Sequence, residues 1–258
     1  MKRIASAAKT RLPKLSQGYI LYENDSIVVI ATGITRKSTN KKTGAMIQIY
    51  ILVRHTHPVE AVKLGLDRAI CIDCIHMGTE GFKERSCYVD MKGPIAVWEA
   101  YQRGSYPHIT EELYARVFTN RAVRFGTYGE PCLIPLGIIR RIVRVCNRHS
   151  GYTHQWANGI DGEYLQYLMA SCDRPGDADK AHALGFRTFR VEPTHGVSPL
   201  PGEIICPSES RGHNCVDCKL CNGAVSGAKS VMITVHGAGA RHLQTKLDRL
   251  IQIEGFAA

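Results

Sequence analysis

The sequence predicts an α/β protein: a partial or complete (β/α) TIM-like barrel with cysteine-rich metal loops. Three observations carry this. From Ala122 to Val191, short β-branched runs alternate with helical patterns, which favours parallel strands joined by crossover helices. Seven of the ten cysteines fall into two tight sets, Cys71, Cys74, Cys87 and Cys206, Cys215, Cys218, Cys221. No P-loop and no G-x-S-x-G nucleophile elbow occurs, which excludes two common α/β chemistries.

A chain of 258 residues is long enough for one large domain or two small ones. Residues 1–50 read as N-terminal strands and a basic turn. Residues 51–200 read as the barrel core with the first cysteine set. Residues 201–258 read as a four-cysteine metal segment with a closing strand and a C-terminal helix.

The elements follow from local pattern. Ile27–Ala31 and Met46–Val53 are β-branched and apolar, so strands are expected, with the polar run Arg36–Gly44 as a turn between them. Pro58–Leu64 fits a short helix with proline at its first position. Pro94–Arg103 places Ile95, Val97, Trp98 and Tyr101 near one helical face. Ala122–Phe125 is a strand running into Gly126-Thr127-Tyr128-Gly129-Glu130-Pro131, followed by a helix over Pro135–Asn147. Gly151–Trp156, Leu168–Ser171 and Phe186–Val191 are further strands. Asp177–Leu184 is a helix closed by Gly185. Ser230–Val235 is a late strand and Arg241–Ile253 a final helix.

No run of about 18 apolar residues exists, so no membrane span is expected. The N-terminus is basic but lacks an apolar core, unlike a secretory signal. A cytoplasmic location follows, where thiols stay reduced and C-x2-C pairs read as metal ligands rather than disulfides. The formal charge of +10 favours a nucleic acid or nucleotide partner. The alternative is plain solubility charge, since the basic groups at Lys2–Lys14, Arg36–Lys42 and Arg140–Arg148 are spread along the chain.

The two cysteine sets suit different sites. Three thiolates from Cys71, Cys74 and Cys87 on a 4Fe-4S cluster leave one iron open to substrate or cofactor. With His76 the same three close a tetrahedral zinc site. Cys206, Cys215, Cys218 and Cys221 form a complete set for zinc or a cluster, most simply a structural staple. Cys132, Cys146 and Cys172 lie in regular elements and read as core.

Barrel chemistry gathers at the C-terminal ends of strands. Those positions hold Glu130, His154, Gln155, Trp156, Asp173 and Glu192. Glu130, Asp173 and His154 are the candidate catalytic residues. Gly126 and Gly129 let backbone approach a ligand, with Glu130 beside them to bind an ammonium or act as a base. His55 and His57 form a weaker metal pair.

Three blocks resemble a bacteriophage family of unknown function, known as gene product eighty-eight. They are Cys71, Cys74 and Ser86-Cys87-Tyr88-Val89; then Val123 to Pro131 with Gly151-Tyr152-Thr153-His154; then Cys206-Pro207-Ser208 to Cys221 with His236-Gly237. The first two blocks also look like radical S-adenosylmethionine enzymes. That likeness implies a 4Fe-4S cluster on Cys71, Cys74 and Cys87. It also implies S-adenosylmethionine bound near Gly129-Glu130-Pro131. The cysteine spacing departs from that family's C-x3-C-x2-C. The segment from Leu168 to Phe189 is similar to tRNA-guanine transglycosylases and their phage DNA relatives. That similarity implies a transferase with Asp173 and Glu130 as its carboxylates and zinc as a staple. A metal-stapled nucleic-acid-binding protein without catalysis is the remaining expectation.

Overall fold

β-Branched runs supply the walls of this chain, and one shared stretch joins them. The computed structural model describes residues 14–255; most of the basic group Lys2–Lys14 lies outside them. The chain opens with three antiparallel strands, β1 (Gly18–Glu23), β2 (Ile27–Thr32) and β3 (Ile47–Val53). Helices α1 (Pro58–Lys63) and α2 (Arg68–Cys71) follow, then the first cysteine loop. Helices α3 (Lys92–Gln102) and α4 (Glu111–Phe118) lead to β4 (Ala122–Tyr128), which pairs parallel to β3. Helix α5 (Leu136–Val145) leads to β5 (Arg148–Ser150), parallel to β4.

The second sheet begins one residue later. Its strands are β6 (Tyr152–Thr153), β7 (Met169–Cys172), β8 (Thr188–Glu192), β9 (Glu203–Ile205) and β10 (Ser230–Thr234). Helix α6 (Asp177–Ala183) joins β7 to β8, α7 (Pro207–Ser210) and α8 (Cys215–Cys218) follow β9, and α9 (Arg241–Gly255) ends the chain. The strand orders are β1-β2-β3-β4-β5 and β6-β7-β8-β10-β9, and every pair from β3 onward is parallel.

The fold is therefore mixed α/β with two five-stranded sheets. A complete barrel is not formed among the described residues, because the two sheets are separate, with β1 and β5 as the edges of one and β6 and β9 as the edges of the other. The main core lies on the first sheet, where Ile30, Ile47, Ile49, Ile51, Phe118 and Phe125 are fully enclosed. No helix among the described residues is long and apolar enough to cross a membrane.

Several elements differ from the sequence expectation. The strand expected over Gly151–Trp156 stops at Thr153, and residues 155–157 turn into a short 3-10 helix. Hydrogen bonds to Glu130 and Asp73 draw His154 and Gln155 out of the strand. Strands β1, β5 and β9 and helix α4 were not anticipated. Strand β5 (Arg-His-Ser) is polar and exists because β4 offers it a partner.

The second cysteine loop is anchored by one buried side chain. Arg187, at the start of β8, donates to Asn222 Oδ1 (3.1 Å) and to the carbonyls of Gly223 (2.8 Å), Leu220 (2.8 Å) and Lys229. Gly223 has a φ of 81°, and an added Cβ would lie 2.4 Å from the Gln166 carbonyl oxygen. Replacing Arg187 with methionine leaves those carbonyls unsatisfied. We expect Arg187→Met to lose about 2–4 kcal/mol in urea unfolding, with early proteolysis near residues 219–229.

Candidate metal centre

Three strand ends and one loop converge on a single carboxylate. Asp173 follows β7, where its backbone N–H and that of Arg174 donate to Asp177 Oδ2 (3.3 and 3.0 Å), fixing the turn into α6. His76 Nε2 lies 3.0 Å from Asp173 Oδ1, and His154 Nε2 lies 3.3 Å from Asp173 Oδ2. The two imidazoles meet edge to face with centroids 5.7 Å apart. Ligand atoms of His76, His154 and Asp173 all lie within 4.8 Å of one another.

The opposite nitrogen of each ring is held. His76 Nδ1 pairs with Ser86 Oγ at 2.9 Å, and His154 Nδ1 with Glu130 Oε1 at 2.5 Å. Such outer partners set the tautomer and aim of a metal-binding histidine. His154 Nε2 is buried and makes no hydrogen bond of good geometry. An orphaned ring nitrogen facing a carboxylate and a second imidazole is the donor set that a Zn²⁺ or Fe²⁺ ion takes. The residues therefore fit a metal ion.

Glu130 is buried and fully engaged. It accepts from Thr153 Oγ1 (2.7 Å), from the His154 backbone N–H (3.1 Å) and from the His154 ring. Its own N–H donates to the Ile70 carbonyl at 2.7 Å. The glycines beside it serve packing. A Cβ on Gly129 would lie 2.8 Å from Ile51 Cβ, and one on Gly126 would lie 2.9 Å from Pro131 Cδ.

The field around His154 attracts cations. Burial pushes its pKa down, but Cys74, Glu130 and Asp173 outweigh this and hold it well above the usual histidine value. Asp173 is lowered despite its burial, because His76 and His154 face it.

His76 is thus committed to Asp173 and Ser86, and does not complete a three-thiol zinc site. Neither cysteine set brings three thiols within 4.8 Å of one another, so neither has the spacing of a single bound zinc. Cys71 is nevertheless pushed up, by burial first and then by the nearby Cys74 and Cys87. Cys221 is raised likewise by burial, then by Cys206, Cys215 and Cys218. A cluster would hold thiolates farther apart than one ion does, since each binds its own iron. Arg85 lies beside Cys87 and Cys71, and its Nη2 is buried without a partner, although Nη1 meets Asp67 Oδ2 at 3.1 Å. An anionic thiolate centre would accept that free N–H.

The other candidates have plainer roles. Gln155 Nε2 and Asn158 Nδ2 hold Asp73, which ties the first cysteine loop to the turn after β6. Trp156 Nε1 donates to the Ser171 carbonyl at 2.8 Å, and Glu192 pairs with Arg190 at 2.6 Å. His57 caps α1 by accepting from Val59 N at 3.3 Å. Cys132 and Cys172 are raised by burial, Cys132 to about 12, as core thiols are. Ser86, Arg85 and Asp73 were missed in the sequence, and only the nearness of the first two to Cys87 marks them.

Comparison with protein-family models, curated proteins and solved structures finds no match.

Truncating Glu130 strands the Thr153 hydroxyl and the His154 backbone N–H. We expect Glu130→Ala to lose about 2–4 kcal/mol in urea unfolding, with a smaller loss for Glu130→Gln, which keeps one acceptor.

Proposed function

We propose that this protein is a metal-dependent enzyme whose catalytic ion is held by His76, His154 and Asp173. One observation carries the reading: both Nε2 atoms face one carboxylate while both Nδ1 atoms are held from behind. Three protein ligands leave positions open for water or substrate. When bound, such an ion supplies Lewis-acid activation of a substrate oxygen or of water. Glu130 orients His154, Ser86 orients His76, and burial keeps bulk water from the carboxylates.

The setting supports an enzyme. Glu130, His154 and Asp173 stand at the C-terminal ends of β4, β6 and β7, where parallel sheets carry ligands. We read the two sheets as the wall of a partial (β/α) barrel, since they run on from each other at Gly151. A nucleotide or nucleic acid substrate, which the charge of +10 favours, and a cytoplasmic setting belong to this proposal.

A second reading rests on Arg85. Its unpartnered Nη2 beside Cys71 and Cys87 suits an iron–sulfur centre on Cys71, Cys74 and Cys87. The radical S-adenosylmethionine variant of that reading asks Glu130 to take an ammonium, but Thr153 and His154 occupy its oxygens. The base-exchange variant asks Asp173 to attack a sugar carbon, but its oxygens face two imidazoles. The mononuclear site is therefore the stronger reading. A cluster staple at Cys206, Cys215, Cys218 and Cys221 is compatible with either.

Cobalt titration of metal-free protein separates the sites. The wild type should bind one equivalent that both His76→Ala and Asp173→Asn lose, without loss of thiolate-to-metal absorption. Equal binding by wild type and both variants refutes the His–His–Asp centre. For the second reading, anaerobic reconstitution with iron and sulfide should give a brown protein, and Cys71→Ala should stay colourless.

A further inference from the structure

Between the sheets lies a cavity of about 480 Å³, a volume suited to a small organic ligand. Its wall takes residues from β3, β4, β6, β8 and β10. His76 and Ser86 close one part, so the cavity borders the candidate metal centre. Cys206, Cys215, Cys218 and Cys221 border another part.

Lys42, Arg124 and Lys219 face the cavity, with Asp90 as the single carboxylate and with the thiols of Cys206, Cys215, Cys218 and Cys221 on the same wall. Arg124 carries no carboxylate partner. Its Nη2 donates to the hydroxyls of Tyr88 (2.9 Å) and Tyr152 (2.8 Å). Lys42 Nζ lies 2.9 Å from His236 Nε2, again with no carboxylate. The partners of the two cations meet, since the Tyr88 ring lies 4.9 Å from that of His236, tilted by 31°. Neither cation has a carboxylate partner, so a bound anion would stabilise both.

One part of the wall is apolar. Tyr152 and Phe189 stack with centroids 4.2 Å apart and planes at 5°. Val191, Ile233 and Val235 continue that surface. A dianionic group matches two cations better than a carboxylate does, and a phosphate monoester carries −1.5 to −2 near neutral pH, by general estimate roughly. The apolar wall suits a flat ring attached to it.

We propose that this cavity binds a nucleoside monophosphate, with the phosphate at Arg124 and Lys42 and the base along the Tyr152–Phe189 wall. This names the substrate class of the metal centre and rests on that reading for the reaction, though not for binding. Arg124 and Lys42 supply the counter-charge, and the tyrosine hydroxyls hold the guanidinium in place.

Calorimetry with the ribonucleoside monophosphates and the matching nucleosides tests it. At least one monophosphate should bind about 10-fold or more tighter than its nucleoside, the worth of one charged hydrogen-bonded contact. Arg124→Met and Lys42→Met should each remove most of that preference. Lys42→Met covers the case in which Arg124→Met fails to fold, as circular dichroism would reveal. Asp173→Asn should keep the preference, so loss of the metal centre and loss of the phosphate site are read separately. Monophosphates and nucleosides binding equally, no binding of either, or a preference unchanged in both variants would overturn the proposal.

Discussion

One carboxylate organises the chemistry of this molecule. Asp173 receives two imidazoles from parts of the chain far apart in sequence, His76 in the first cysteine loop and His154 at the end of β6. Burying a carboxylate is costly unless charge or hydrogen bonds compensate it. Here the compensation comes from groups that are themselves fixed, one by Ser86 and the other by Glu130. The loop between α2 and α3 is thereby seated against the second sheet. Asp73 adds a second tie through Gln155 and Asn158.

Much of this was legible in the sequence, for reasons that differ by residue. β2, β3, β7 and β10 are nearly all β-branched or small and apolar, so composition alone identified them. Helix α4 was missed although Leu113, Tyr114, Val117 and Phe118 recur at helical spacing. β5 and β9 could not be read, because three residues make a strand only when a neighbour supplies hydrogen bonds. Glu130, His154 and Asp173 were legible as strand-end polar residues. Their convergence was not, because no local pattern encodes a contact between His76 and a residue 97 positions away.

The two cysteine sets differ in surroundings more than in spacing. The first stands behind the histidines, beside Arg85, with Lys246 of α9 donating to the carbonyls of Ile75 and Met77 within its loop. The second closes one side of the cavity and is gripped by Arg187. Charge differs accordingly: Glu130 and Asp173 stand at the histidines, and Arg124 stands at Tyr88 and Tyr152.

Gly151 has a bearing on how the molecule comes apart. It is the one residue between β5 and β6, it donates to the Cys221 carbonyl at 3.0 Å, and a side chain there would lie 2.7 Å from Leu168 Cδ2. The joint between sheets and the mooring of the cysteine loop are therefore the same peptide. Opening at this point frees both at once, so the two sheets are coupled into one cooperative unit. A displacement of Cys221 would therefore reach that joint and, through it, the imidazole of His154 three residues on.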